Sequence, residues 1–145
     1  MAKRPESVLV IIYTSSLDVL LLERADHPGW WQSVTGSLEP GEPPLHAAIR
    51  ETSEETGLDA RRWRLTDEQT TNHYEIYDCF RHRYAPGVTH NTEHVFSLQL
   101  PEREQIVLAP REHLRYIWLP AEQAAQQCFS PTNQAAIQQL TTKNP

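Results

Sequence analysis

The sequence predicts an α+β fold, with a glutamate-rich helix between two groups of short strands and further helices at the C-terminus. Three observations predict it. Apolar, β-branched runs of strand length occur on both sides of residues 43–57; that segment opens on prolines and closes on a glycine; and the chain beyond Pro120 turns to Ala- and Gln-rich stretches of helical character. At 145 residues, with 39% hydrophobic and 22% charged residues, the chain suits one domain with an ordinary buried core, and a single domain over residues 1–145 is expected.

Taken in order, Ser7 to Tyr13 and Val19 to Glu23 are strand-like runs, and Thr14 to Asp18 between them reads as a hairpin. A loop with Pro28-Gly29 follows, and Trp31 to Thr35 alternates enough for a third strand that delivers Gly36 to a loop. The helix is expected from Pro43 and Pro44 at its start, Leu45, Ala47 and Ala48 inside it, and Gly57 as its left-handed cap. Beyond it, Trp63 to Gln69, Tyr74 to Tyr84, Val95 to Leu100 and Tyr116 to Leu119 read as strands, with Ala85-Pro86-Gly87 as a turn. Pro120 to Gln127 and Pro131 to Leu140 read as helices; Pro120 suits a first turn, and Ser130 can cap the second.

Composition removes several function classes. A formal net charge of −6 argues against general nucleic-acid binding, which needs a basic surface, although metal ions and a few local cations still allow a polyphosphate ligand. The longest apolar run, Val8 to Tyr13, is too short to span a bilayer, and MAKRPES lacks the apolar stretch of a signal peptide, so a cytoplasmic protein with no membrane partner is expected. Cys79 and Cys128 form no C-x2-C pair and read as reduced thiols. Of the seven histidines only His90 and His94 stand at H-x3-H spacing, and with no H-E-x2-H motif a zinc site is an unsuitable reading.

Chemistry concentrates between Gly36 and Leu58, GSLEPGEPPLHAAIRETSEETGL, with the spacing G-x5-E-x7-R-E-x2-E-E-x-G. At about 100° per residue, Leu45, Ala48, Ile49, Thr52 and Thr56 form a core stripe, and Glu51, Glu54 and Glu55 a neighbouring one. Like charges one turn apart lower helix stability by roughly 0.2–0.5 kcal/mol, so this stripe calls for full solvation or for a cation. Octahedral Mg²⁺ or Mn²⁺ bridging carboxylates and phosphate oxygens is the chemical reason to accept the repulsion. An isolated E-x2-E-E is common on wet helix faces, but the longer pattern arises by accident on the order of once in a million such chains.

These residues resemble the Nudix box, the signature of hydrolases that cleave a nucleoside diphosphate linked to another group. Thr52 departs from the pattern, standing where an aliphatic residue is usual, and touches no charged position. The resemblance implies a mixed β-sheet between helices, an α/β/α sandwich, over essentially the whole chain. It also implies that Glu51, Glu54 and Glu55 hold Mg²⁺, with Mn²⁺ as a possible substitute, that Arg50 orients a neighbouring glutamate, and that Gly36, Glu42 and Gly57 shape the loop and helix. Glu112 resembles the distal acid that many members bring to the metal, with Glu75 and Glu93 as further candidates. The runs W-Q-S-V-T-G-S (31 to 37), R-H-R-Y-A-P-G-V-T (81 to 89), N-T-E (91 to 93) and W-L (118 to 119) are similar to the bacterial branch acting on 7,8-dihydroneopterin triphosphate.

By that similarity Lys3, Arg24, Thr35, the stretch Tyr74, Glu75, Ile76 and Tyr77, and Ser130 line the substrate site. Lys3 and Arg4 fall on a segment that reads as mobile, Arg24 closes the second strand, and alternation splits Arg81, His82 and Arg83 between opposite faces. Trp30, Trp31, Tyr74 and Tyr77 offer ring faces for stacking if they are not committed to the core. The implied reaction is Mg²⁺-dependent hydrolysis of a small-molecule triphosphate between its α and β phosphates by a monomer or homodimer, with Glu54 or Glu112 activating water. Hydrolysis of dNTPs, oxidised nucleotides or dinucleoside polyphosphates is the alternative within the family. A non-catalytic regulatory module is the alternative outside catalysis, although such modules often lose a box glutamate and none is lost here. An isomerase on the same fold would need a catalytic cysteine, for which neither Cys79 nor Cys128 is placed.

Overall fold

The computed structural model describes residues 2–144. The elements follow as β1 (Glu6–Thr14), β2 (Asp18–Arg24), β3 (Trp31–Gln32), β4 (Val34–Ser37), α1 (Pro44–Thr56), β5 (Arg64–Glu75), β6 (His90–Leu100), β7 (His113–Pro120), α2 (Ala121–Gln127) and α3 (Pro131–Lys143). Short 3-10 turns occupy Ala60–Arg62 and Asp78–Arg83. The strands form a mixed sheet ordered β3-β2-β1-β6-β5, with β4 also on β1 and β7 also on β2. β1 and β6 are parallel and the other pairings antiparallel, which is the mixed sheet flanked by helices that the box implies.

Alternation along β1 explains its unbroken apolar run, because both faces are covered. Val8, Val10 and Ile12 join Leu20, Leu22, Phe96 and Leu98 under Ala47 and Ala48 of α1. Leu9, Ile11 and Tyr13 join Leu21 and Val95 under Ala124, Ile137 and Leu140 of α2 and α3. The two ends of β1 have different neighbours: Tyr13 meets Val19 of β2, but Val10 to Ser7 meet Val34 to Ser37 of β4. β3 meanwhile pairs with β2. Residues 31–37 therefore cross from one strand to the other as a wedge, and β1 and β2 part around it.

Three local expectations change. The strand expected at Trp31 to Thr35 breaks at Ser33, whose backbone N–H donates to Asn133 Oδ1 (2.8 Å) while Asn133 Nδ2 donates to Ser33 Oγ (3.0 Å). Both residues are buried, so α3 satisfies the polar groups that the crossing takes out of the ladder. Tyr74 to Tyr84 is not a strand. β5 runs without a gap to Glu75, Ile76 N–H then donates to Thr89 O, and residues 78–83 curl into a 3-10 turn that brings Phe80 against Tyr77 just before it, with ring centres 6.2 Å apart. The stripe drawn on α1 is also rotated: Leu45 is 48% exposed, whereas Ala47, Ala48, Glu51, Thr52, Glu55 and Thr56 are buried. Gly57 closes the helix at φ 77°, its N–H donating to Ser53 O, as its cap role predicts.

Candidate active site

Where the wedge parts β1 from β2, a cavity of about 530 Å³ opens. Among the residues predicted for the site, Glu51, Glu55, Glu112, Lys3, Arg24, Thr35, Gly36, Tyr74, Glu75, Ile76, Tyr77 and Ser130 line it. Glu54 does not: it lies on the exposed side of α1, paired with Arg50 at 3.3 Å, because a residue three positions after Glu51 and one before Glu55 turns away from their shared face.

Glu51 and Glu55, one turn apart on α1, are 8% and 2% exposed. Burial pushes both carboxyls above the usual range, Glu55 furthest, with the facing Glu51 and the nearby Glu112 adding to its shift. Glu55 accepts the backbone N–H of Thr35, but its Oε1 has no hydrogen-bond partner among the described residues. His113 Nε2 stands 3.7 Å from that oxygen. Burial, then the Arg24 charge, holds the imidazole pKa down to about 4, so near neutral pH His113 is uncharged and the contact is no ion pair.

Arg50 organises the outer side of the pair. It donates to Glu51 Oε1 (2.8 Å), to both oxygens of Glu42 (2.8 Å each) and to Ser37 O (3.1 Å), and it pairs with Glu39 at 2.9 Å. Its guanidinium holds the Glu42 carboxyl down to about 2. Gly36 sits under the Glu51 carboxylate, and a Cβ there would fall inside 3.0 Å of Cδ and both oxygens. Only a residue without a side chain leaves that space.

Cations stand across the cavity. Arg24 donates to both oxygens of Asp26 (2.7 Å each) and to Gln32 Oε1 (2.9 Å), with its guanidinium 4.4 Å from the Phe80 ring centre. Arg83 donates to the same Asp26 at 2.7 Å. The two arginines hold the Asp26 carboxyl far below the usual range, and the bidentate pair fixes the Arg24 fork in one orientation. Lys3, expected on a mobile segment, is tied by its N–H to Arg83 O (2.7 Å) and bridges to Tyr84. Of the basic triplet, Arg83 lines the cavity, whereas Arg81 pairs with Glu75 and Asp78.

The remaining lining is aromatic and neutral polar. Trp30 cannot offer a free face: His27 stacks on it at 4.1 Å and Phe129 at 4.5 Å. Phe80 is flanked by Arg24 and Arg83, and Trp31 packs with the α2–α3 core. Tyr77 and Phe129 remain as ring walls of the cavity. The Tyr74 hydroxyl accepts from Asn91 Nδ2 (3.0 Å), and burial raises it to about 12. Thr35 gives its main chain to the site, since its hydroxyl donates to Val8 O. Ser130 caps α3 by accepting from Asn133 N–H.

Sequence reasoning missed His113, Asp26, Asn91, Phe129 and Asn133. His113 reaches the site through the β2–β7 register, in which it pairs with Arg24, and no local pattern encodes that pairing. Asp26 carried a usable signal, an acid two residues beyond the strand-ending arginine.

A divalent ion fits the donor set. Glu55 presents a buried oxygen without a partner, Glu51 is held beside it, and Gly36 leaves room. No three His, Cys, Asp or Glu side chains converge into a closed cage among the described residues. One or two carboxylates with open positions suit an ion that keeps waters and shares phosphate oxygens.

Buried paired carboxylates on a helix after a glycine loop, over a mixed sheet between helices, define a phosphate-processing site of one known class. The chain belongs to the Nudix family, whose NUDIX domain model matches residues 3–140. It is 51% identical over 141 residues to the dihydroneopterin triphosphate diphosphatase of Escherichia coli strain K12, spanning 95% of this chain and 93% of that one. Its identity to the Haemophilus influenzae protein of the same name is 41% over 138 residues, 93% and 86% of the two chains. The solved structure of the E. coli dihydroneopterin triphosphate pyrophosphohydrolase superimposes with a TM-score of 0.93 and 49% identity over 99% of each chain. No helix among the described residues is long and apolar enough to cross a membrane.

Proposed function

We propose that this protein hydrolyses 7,8-dihydroneopterin triphosphate between its α and β phosphates, yielding the monophosphate and pyrophosphate, with Mg²⁺ as the ion and Mn²⁺ as a substitute. The observation that carries the reading is the buried Glu51–Glu55 pair, with its unpartnered oxygen, facing Arg24, Arg83 and Lys3 across one aromatic-walled cavity. The similarity to two dihydroneopterin triphosphate diphosphatases supports the choice of substrate.

When bound, a divalent ion neutralises charge developing on the phosphoryl oxygens and lowers the pKa of a coordinated water. Glu51 and Glu55 would hold it, and Arg50 opposes the upward shift that burial gives the Glu51 carboxyl and aims it. Arg24, oriented by Asp26, takes a phosphate oxygen through its remaining N–H groups, and Lys3 and Arg83 add charge on the same side. Glu112, which lines the cavity as Glu54 does not, accepts the proton of the attacking water. The water oxygen bonds to phosphorus, the P–O–P bridge breaks, and pyrophosphate departs with the bridging electron pair on oxygen. Neutral His113 presses on Glu55 without competing for the ion as a charged group.

The test is a rate comparison in Mg²⁺ on dihydroneopterin triphosphate, dNTPs, 8-oxo-dGTP and a dinucleoside tetraphosphate, with detection of pyrophosphate. Pyrophosphate release fastest on the pterin substrate, and lost about 10³-fold in Glu51→Gln, is expected. A faster rate on any of the nucleotides would overturn the substrate. Unchanged Mg²⁺-dependent turnover in Glu51→Gln would overturn the role of the pair.

A further inference from the structure

Beside the phosphate-facing cations, the same cavity holds a further buried carboxylate that the reaction does not use. Glu93, on β6, is 4% exposed and lines the cavity. Its Oε1 accepts from Asn72 Nδ2 (3.2 Å), and the Thr132 hydroxyl also reaches the carboxyl. No lysine or arginine pairs with it among the described residues, and burial raises its pKa. A carboxylate accepts about four hydrogen bonds, so capacity remains toward the cavity. Two positions earlier, on the same face of β6, Asn91 is 2% exposed. With its amide nitrogen donating to Ser7 Oγ (2.8 Å) and to the Tyr74 hydroxyl, its Oδ1 has no partner among the described residues. Two buried acceptors thus line the same cavity as the Tyr77 and Phe129 rings.

We propose that Glu93, with Asn91 beside it, reads the donor edge of the substrate's heterocycle, binding the adjacent ring N–H and exocyclic amino group of a 2-amino-4-oxo-pyrimidine unit, as found in pterins and guanine. A buried carboxylate without a counter-ion is unfavourable unless a ligand supplies donors, and a flat edge with two parallel N–H groups matches its two oxygens. The same acceptors face an acceptor nitrogen in adenine and lose one donor in hypoxanthine. This selects the ring independently of the phosphate chemistry. It rests on the pterin reading only for which such ring is bound.

The experiment measures kcat/KM for dihydroneopterin triphosphate, GTP, ITP and ATP on the wild-type protein and on Glu93→Gln, with the thermal midpoint of each. GTP and ITP differ only by the amino group. Wild type is expected to prefer GTP over ITP by about 10²-fold, and Glu93→Gln to reduce that ratio about tenfold or more while ITP and ATP rates change little. Equal wild-type rates on GTP and ITP would overturn the proposal without any variant. An equal loss on all four substrates would also overturn it, because that marks a structural or catalytic role. A wild-type enzyme slow on the pterin substrate but selective for GTP over ITP would overturn the proposed substrate and leave Glu93 as the edge reader.

Discussion

Gly36→Ala isolates the geometry of the proposed metal-holding pair in a single atom. Gly36 is not among the glycines with positive φ, so its backbone accepts alanine without strain. The added Cβ would lie inside 3.0 Å of the Glu51 carboxylate carbon and both its oxygens, where ordinary contact begins at 3.4 Å. Relief requires the carboxylate to move by about 1 Å, and a displacement of that size in a catalytic group is worth about 10²-fold in rate. Arg50 resists the movement, because it holds Glu51 at 2.8 Å while anchored to Glu42 and Ser37 O. We expect kcat/KM for pyrophosphate release to fall about 10²-fold, or about 2.7 kcal/mol, with a higher Mg²⁺ concentration at half-maximal rate. The assay titrates Mg²⁺ against pyrophosphate release and records the circular dichroism melt of each variant. Gly36→Ala combined with Glu51→Asp, which withdraws the carboxylate by one methylene, should recover part of the loss. Activity within threefold of wild type at unchanged Mg²⁺ dependence would refute the argument that the site depends on where the Glu51 carboxylate sits.

Asp26→Asn keeps the shape but removes the charge that fixes Arg24 and Arg83, so KM should rise about tenfold with a smaller fall in kcat; steady-state kinetics on the triphosphate checks the split. The Glu42–Arg50 pair has a pH signature. The folded carboxyl is lowered to about 2 from an ordinary 4.5, so its stabilisation is fully present above the ordinary value and is lost as pH falls toward 2. The melting-temperature difference between wild type and Glu42→Gln should therefore be largest near neutrality and shrink through that acid window.

The carboxylate half of the site was legible in the sequence because it is local. Glu51 and Glu55 are separated by one helical turn, Arg50 adjoins Glu51, and the Gly36 loop leads directly into the helix. The orientation of α1 was less legible, since Leu45 looks like core and is exposed, whereas Glu51 and Glu55 look solvated and are buried. Hydropathy assigns carboxylates to water, and a site that withholds water inverts that rule. The aromatic stretch after Glu75 misled for a related reason: strand-forming residues that line a cavity gather on a curl instead of alternating across a sheet. The far end of the cavity was legible only in part: the family resemblance pointed to Tyr74, Tyr77, Ser130 and the run 91–93, but Ser7, Asn91, Phe129 and Asn133 meet only through the parallel β1–β6 pairing and the docking of α3.

The division of the cavity follows from how far α3 extends over its face of the sheet. Leu9, Ile11 and Val95 pack beneath the helices, but Ser7 on β1 and Asn91 and Glu93 on β6 lie beyond the covered part, and there the same face becomes a ligand surface. On the other face, α1 packs on the core and turns its two carboxylates toward the gap opened by the β3–β4 wedge. Asn133 links the two halves, capping the wedge at Ser33 while forming the wall beside Glu93. The Glu51–Glu55 pair on α1 and the Glu93–Asn91 acceptors on β6 thus stand on opposite faces of the sheet. On the proposed reading, changes beside Glu93 alter the ring accepted without moving Glu51 and Glu55, because the two groups sit on different elements.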